Sequence, residues 1–187
     1  MSKIFVVSAP SGAGKTTIVR NVLSRLPEIE FSVSATTRKR RSFEVNGVDY
    51  FFLSEEEFNR KIEAEEFVEW ETFYGYYYGT LKSYIDSRLD NGKSVLLEVD
   101  VKGALKIKEE YPEAIMIFIL PPSIDELKKR LINRKTESDS DLQKRFERAK
   151  MEISFQSHFE HRIVNDNLEN AKEKVFNIFN KELIKEK

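Results

Sequence analysis

Short apolar runs alternate with amphipathic stretches along most of this chain. The apolar runs fall at 3–9, 94–100 and 114–120 and are rich in β-branched or other large aliphatic residues. Runs that are apolar on both faces are typical of parallel strands covered by helices. The stretches between them have helical periodicity. The pattern therefore predicts an α/β fold with a parallel sheet core flanked by helices.

The amphipathic stretches carry helix start and stop signals. Ser54 and Ser123 each precede a glutamate by three residues, which is the capping-box pattern at a helix N-terminus. Pro27 ends a first helix, because proline cannot continue the hydrogen-bonding pattern. A stripe of apolar residues marks the last helix. The predicted helices span 16–26, 54–65, 80–89, 123–134, 140–157 and 168–183.

Two segments interrupt this alternation. Residues 33–82 contain strand-like runs near 31–35 and 48–53 and an aromatic stretch at 70–78, whereas residues 127–150 are helical and basic. Open parallel sheets bind their ligands at the carboxyl edge of the strands. We therefore expect one domain, 1–187, with both segments inserted over that edge and a core made of 1–32, 83–126 and 151–187.

Composition narrows the class of protein. The chain has no cysteine, which excludes disulfides, thiolate metal sites and a cysteine nucleophile, and we expect a cytoplasmic location. Its 31 basic and 32 acidic residues give a formal charge of −1, so the overall charge gives no reason to expect binding to nucleic acid or to a membrane. The first apolar run is too short to be a secretion signal or to cross a membrane.

A glycine-rich loop follows the first apolar run and precedes the first helix. In this position successive backbone N–H groups turn inward onto an anion, and the helix N-terminus adds its positive dipole end. Lys15 can reach the β- and γ-phosphates of a nucleotide, and the Thr16 hydroxyl can bind Mg²⁺. Switches, motors, transporters and kinases share such a loop. The predicted ATP-binding residues here are Ala9, Pro10, Ser11, Gly12, Ala13, Gly14, Lys15, Thr16 and Thr17.

Six further motifs follow in a fixed order: Ser34–Arg41, Asn46–Phe52, Phe67–Trp70, Tyr77–Thr80, Glu98–Gly103 and Val164–Asp166. By their order and spacing the chain resembles the guanylate kinase family of nucleoside monophosphate kinases over nearly its whole length. The resemblance implies a P-loop nucleoside triphosphate hydrolase fold, with residues 33–82 as the GMP-binding region and 127–150 as the lid. It also implies Mg²⁺-dependent transfer of the ATP γ-phosphoryl group to GMP, and to dGMP.

The resemblance assigns a set of residues to GMP. Glu69 matches the carboxylate that accepts from N1–H and N2–H₂ of guanine, and Asp100 matches a second acid near the exocyclic amine. Ser34 and Thr80 match hydroxyl donors toward O6 and N7. Such a site should reject AMP, because the buried carboxylate would lose its donors. The residues that match the clamp on the GMP phosphate are Arg38, Arg41, Tyr50 and Tyr78.

The basic segment resembles the lid that closes over ATP. Arg130 and Arg134 are four residues apart and share a helix face. With Arg145 and Lys15 they are the predicted catalytic residues, and Asn165 matches a position near the adenine. The chain departs from the family pattern in having Ala9 and Lys135 where glycine is usual, and Lys102 where glutamine is usual.

Two alternative functions remain open. Guanylate kinase-like domains of scaffolding proteins bind partner peptides without catalysis, but they typically have a damaged phosphate loop. A related kinase could act on another phosphorylated acceptor, such as a ribose bisphosphate, which would not need Ser34, Glu69 and Thr80. The expected partners are ATP and GMP, and the sequence does not decide between a monomer and a homo-oligomer.

Overall fold

The protein is built from nine strands and seven helices within the residues that the computed structural model describes, 2–73, 75–132 and 139–184. The strands are β1 (Ile4–Ser8), β2 (Ile29–Phe31), β3 (Ala35–Thr36), β4 (Phe51–Phe52), β5 (Phe67–Phe73), β6 (Tyr76–Leu81), β7 (Ser94–Glu98), β8 (Ile115–Leu120) and β9 (His161–Val164). The helices are α1 (Lys15–Arg25), α2 (Glu55–Glu63), α3 (Lys82–Asp90), α4 (Val101–Glu110), α5 (Ile124–Ile132), α6 (Asp139–Ser154) and α7 (Leu168–Ile184).

The central sheet is parallel and has the order β2-β7-β1-β8-β9. All five residues of β1 are buried, because helices cover both faces of the sheet. One face packs against α1 and α7 around Phe5 and Phe179, whose rings stack at 4.1 Å. The other face packs against α3 and α4 around Leu97 and Met116. The predicted α/β fold with a parallel core is confirmed.

A second, smaller sheet of order β4-β3-β6-β5 is formed within residues 33–82. It is mixed, since β3 pairs in parallel with β4 and antiparallel with β6. Its core is a stack of aromatic rings in which Phe58 of α2 lies 4.3 Å from Phe67 and 5.2 Å from Tyr77. The predicted capping box of α2 is present, with Ser54 and Glu57 each bonded to the other's backbone.

Several predicted boundaries in this segment are wrong. Thr80 belongs to β6, where it pairs with Glu69, and α3 begins only at Lys82. The strand expected at 31–35 is divided between the two sheets, and the strand expected at 48–53 is reduced to Phe51–Phe52. Pairing with a distant strand determines the local structure at Thr80 and at 31–35. The expected strand at 48–53 is shortened because Val48 N and Asp49 N donate to Val45 O in a turn, at 3.2 Å and 3.0 Å.

The two helices of the basic segment pack on each other through Leu127, Leu131 and Ala149. Helix α5 was expected to run to 134, but 133–138 lie outside the described residues. The helix expected at 140–157 ends at Ser154 and is followed by a 3-10 turn at Gln156–His158. Among the described helices, none has the length and apolar character needed to cross a membrane.

Candidate active site

The loop between β1 and α1 is bent into a tight turn by two glycines. Gly12 and Gly14 have φ values of +92° and +94°, which L side chains rarely adopt. Ala13 N donates to Pro10 O at 3.1 Å, which closes the turn. Gly14 is the N-cap of α1, so the loop ends on the positive end of that helix dipole.

Asn165 connects this loop to the end of β8. Its side chain is buried, and Nδ2 donates to Ala13 O at 2.7 Å, while its backbone N donates to Leu120 O at 2.8 Å. A Cβ atom on Gly14 would lie only 2.6 Å from Asn165 Nδ2. The amide group of Asn165 thus holds the phosphate loop against the end of β8, and its place near the adenine stays a prediction.

Lys15 and Thr16 both face the carboxyl end of β7. Lys15 Nζ donates to Val99 O at 3.1 Å and lies 3.9 Å from Glu98 Oε1. Thr16 Oγ1 donates to the same Glu98 oxygen at 2.8 Å. Burial lowers the pKa of Lys15, and Glu98 opposes this shift. Glu98 was not predicted as a site residue, although its place at the end of a buried strand was a usable signal.

A pair of carboxylates lies where the second sheet meets the core. Glu69 Oε1 accepts from Thr80 Oγ1 at 2.6 Å, and Asp100 Oδ1 accepts from Gly103 N at 2.8 Å. A Cβ atom on Gly103 would lie 3.2 Å from Glu69 Oε2, so glycine allows the two acids to approach α4 closely. Burial raises the pKa of Glu69 to about 7, and Asp100 and Glu71 add to that shift.

Arg38 is held by an acid of its own segment. Its guanidinium forms a bidentate ion pair with Glu44, at 3.0 Å and 2.7 Å, and lies over the rings of Tyr50 and Phe52. This pairing lowers the pKa of Glu44 to about 2. Glu44 also accepts from the backbone N of Arg41. The acid therefore orients the basic run that the sequence analysis assigned to a phosphate.

A cavity of about 580 Å³ connects the phosphate loop with the carboxylate pair, a size suited to small-molecule ligands. Most of the predicted site residues line it, including Ser34, Tyr50, Tyr78 and Arg145. Thr80 does not line the cavity, because it is buried and bonded to Glu69. Arg38 and Arg41 do not line the cavity either. Arg130 bonds Glu126 and the backbone O of Asn165 instead. Arg134 lies outside the described residues. The lining residues that were not predicted are Glu71, Phe73, Gly79, Glu98, Val99, Arg148 and Glu152.

Fold and site together define a P-loop nucleotide-binding protein with a second, acid-lined subsite. A family model described as guanylate kinase matches residues 1–182. The chain is 45% identical to a guanylate kinase of Thermotoga maritima over 98% of this chain and 88% of that one. It is 52% identical to a guanylate kinase of Chlorobium chlorochromatii over 89% of this chain and 88% of the other.

A solved structure agrees with these sequence matches. The crystal structure of guanylate kinase from Anaplasma phagocytophilum superposes with a TM-score of 0.74 at 32% identity, covering 99% of this chain and 88% of that chain. The chain belongs to the guanylate kinase family.

Proposed function

We propose that this protein transfers the γ-phosphoryl group of ATP to GMP, and to dGMP, and so forms ADP and the nucleoside diphosphate. The observation that carries the proposal is that one cavity is lined both by the phosphate loop and by Glu69 and Asp100. The loop suits the phosphates of ATP. The two acids suit the N1–H and N2–H₂ donors that guanine has and adenine lacks.

In the proposed reaction a phosphate oxygen of GMP forms a bond to the γ-phosphorus, and the bond from that phosphorus to the β–γ bridging oxygen breaks. The electron pair of the broken bond leaves with ADP. The attacking oxygen is already largely anionic at neutral pH, since the second pKa of a phosphate monoester is about 6. No general base is therefore required, and catalysis consists of positioning and charge stabilisation.

The predicted site residues then divide into groups with distinct tasks. Lys15 and the loop N–H groups bind the phosphates of ATP, and Arg145 on α6 adds positive charge to the same cavity. Arg130 and Arg134 complete the proposed lid. Ser34 and Thr80 assist the two acids in binding guanine, while Arg38, Arg41, Tyr50 and Tyr78 bind the GMP phosphate.

Mg²⁺ fits the residues beside the loop. Within the described part of the chain no group of three or more His, Cys, Asp or Glu could hold a metal ion. Thr16 Oγ1 and Glu98 Oε1, 2.8 Å apart, offer the one or two protein oxygens with which Mg²⁺ is usually held beside nucleotide phosphates. The ion would neutralise charge on the β- and γ-phosphates.

We propose a cytoplasmic location, as expected for an enzyme of this chemistry without cysteine.

A coupled assay of ADP formation tests the proposal. ATP and Mg²⁺ are supplied with GMP, with a ribose bisphosphate, or without acceptor, and the products are identified by mass spectrometry. Formation of GDP that depends on GMP is expected. Turnover only with the ribose bisphosphate would favour the related kinase, and GMP binding without turnover would favour a binding module.

A further inference from the structure

Arg148 occupies the junction of three parts of the molecule. It lies on α6, three residues after Arg145, so both arginines are on the face that lines the cavity. Its guanidinium donates to Asp100 Oδ2 at 3.2 Å and lies 3.5 Å from Glu71 Oε2 of the second sheet. The same group is 5.5 Å from the Phe73 ring centroid.

The contact with Asp100 has a structural consequence. Oδ1 of Asp100 accepts from Gly103 N at the start of α4, and Oδ2 accepts from Arg148. The side chain is thus fixed at both oxygens. Asp100 stands beside Glu69 in the proposed guanine subsite, so the position of α6 and the orientation of that acid depend on each other.

Glu152 is the third acid that Arg148 contacts. Arg148 Nε donates to Glu152 Oε1 at 3.0 Å. Glu152 is about nineteen-twentieths buried, and its Oε2 has no hydrogen-bond partner among the described residues. Arg148 is therefore what compensates a carboxylate that would be costly to bury alone.

The charges around the cavity explain why this compensation matters. Three cations face five carboxylates among the described lining residues, yet the proposed substrates are polyanions. Arg148 contacts three of those carboxylates at once. The cations are Lys15, Arg145 and Arg148, and the carboxylates are Glu69, Glu71, Glu98, Asp100 and Glu152.

We infer that Arg148 is a positioning residue of the transfer site. It joins α6 to the second sheet and to the core, and it neutralises Glu71, Asp100 and Glu152, which would otherwise repel the nucleotide phosphates. The inference rests on the proposed function for its kinetic consequences. The neutralisation of the three acids by Arg148 does not depend on which reaction the protein catalyses.

Arg148→Met tests the inference against Lys150→Met, which removes a positive charge from an exposed position of the same helix. At pH 8 we expect kcat/KM for GMP to fall roughly 100-fold in Arg148→Met, because three partly buried acids lose their common partner. Lys150→Met should stay within about twofold of wild type. Arg148→Lys should recover most of the activity, because it restores the positive charge. Recovery should be incomplete, because lysine lacks the planar guanidinium that contacts several acids at once.

The pH response separates this role from a merely structural one. Arg148 contacts Glu71 of β5, Asp100 and Glu152. The other charged residues that line the cavity with it are Lys15, Glu69, Glu98 and Arg145. Burial already raises the pKa of Glu71 and of Glu152, and without Arg148 these two carboxylates should take up protons more readily. The ratio of mutant to wild-type kcat/KM should therefore rise about tenfold between pH 8.5 and pH 6. The titrations of the GMP phosphate and of Glu69 occur in both proteins and cancel in the ratio.

A second substitution tests the buried acid directly. Adding Glu152→Gln to Arg148→Met should restore activity about tenfold, because the unpaired carboxylate is removed. Should Arg148→Met not fold, Arg148→Gln is the second neutral variant, with the same pH response expected. Wild-type activity in either neutral variant, or a loss that neither low pH nor Glu152→Gln relieves, would overturn the inference.

An equilibrium measurement makes the outcome independent of catalysis. Urea unfolding of the neutral variant and of wild type is compared from pH 6 to pH 8.5. The stability deficit of the variant should grow with pH, because the unpaired carboxylates of Glu71 and Glu152 ionise only at a penalty in the folded state. A deficit that does not change with pH would contradict the inference, whereas a wild-type protein inactive on GMP would contradict the proposed function alone.

Discussion

The phosphate loop and the second sheet build their binding surfaces in different ways. The loop lies between a fully buried strand and α1, and it offers mainly backbone N–H groups shaped by Gly12 and Gly14. The second sheet has short strands and offers side chains, above all Glu69 and its partner Thr80. Phosphate binding should therefore tolerate a change of side chain such as Ala9 in place of the usual glycine. Selection of the base depends instead on single charged side chains such as Glu69.

Lys15→Met should have the largest effect of the single substitutions on the loop. It removes the side-chain cation of the loop while leaving the backbone anion site, so the fold should persist. We expect kcat to fall roughly 10³-fold, the scale seen when a preorganised charge-stabilising group is lost. Steady-state assays with GMP, with circular dichroism to check folding, measure this. Turnover near that of wild type would show that Lys15 has no role in transfer.

Glu69→Gln tests the second sheet. The amide cannot accept from both guanine donors, and its own NH₂ would face a donor, so kcat/KM for GMP should fall roughly 100-fold. KM for ATP should change by less than about threefold. Glu56→Gln, an exposed position on α2, is the control and should leave both values unchanged. Equal losses for GMP and ATP would contradict the assignment of guanine to this sheet.

Gly14→Ala tests how much the backbone shape of the loop contributes to the stability of the fold. The φ of +94° and the 2.6 Å approach to Asn165 Nδ2 should together cost about 3 kcal/mol of unfolding free energy. Gly92→Ala is the matched control. Its φ is also positive, at +71°, but a Cβ there meets nothing within 4 Å, so about 1 kcal/mol is expected. Urea denaturation measures both, and equal effects would mean that the Asn165 contact is unimportant.

The pH dependence of GMP use should report on Glu69. Its pKa is raised to about 7 by burial, and only the ionised carboxylate can accept from both guanine donors. kcat/KM for GMP should therefore fall below pH 7, by about tenfold at pH 6. Glu69→Gln should show only the smaller change caused by the phosphate of GMP. A wild-type profile identical to that of the variant would contradict ionisation of Glu69 as the cause.

Local signals predicted the parts of the fold that depend on local chemistry. The apolar runs gave the central strands, and the glycines before Lys15 gave the phosphate loop. The motifs around Glu69 and Asp100 led, through the family resemblance, to two acids that the structure brings together.

The features that were missed depend on contacts between distant parts of the chain. Glu98, which was not predicted, contacts Thr16 across 82 residues. Asn165 was predicted as a site residue, but its bond to Ala13, across 152 residues, was not. The sequence around Thr80 has a helical pattern, but Thr80 belongs to β6 because it pairs with Glu69 of β5. Arg148 belonged to a basic run in which nothing in the sequence distinguished the residue that reaches Asp100 and Glu71.

Crossed titrations test most directly the claim that the two regions bind different parts of the substrates. Binding of GMP and of a non-hydrolysable ATP analogue is measured by calorimetry in wild type, Lys15→Met and Glu69→Gln. Lys15→Met should weaken the ATP analogue about tenfold or more and leave GMP within about twofold, while Glu69→Gln should do the reverse. If either variant weakened both ligands equally, the separation between phosphate loop and second sheet would be wrong.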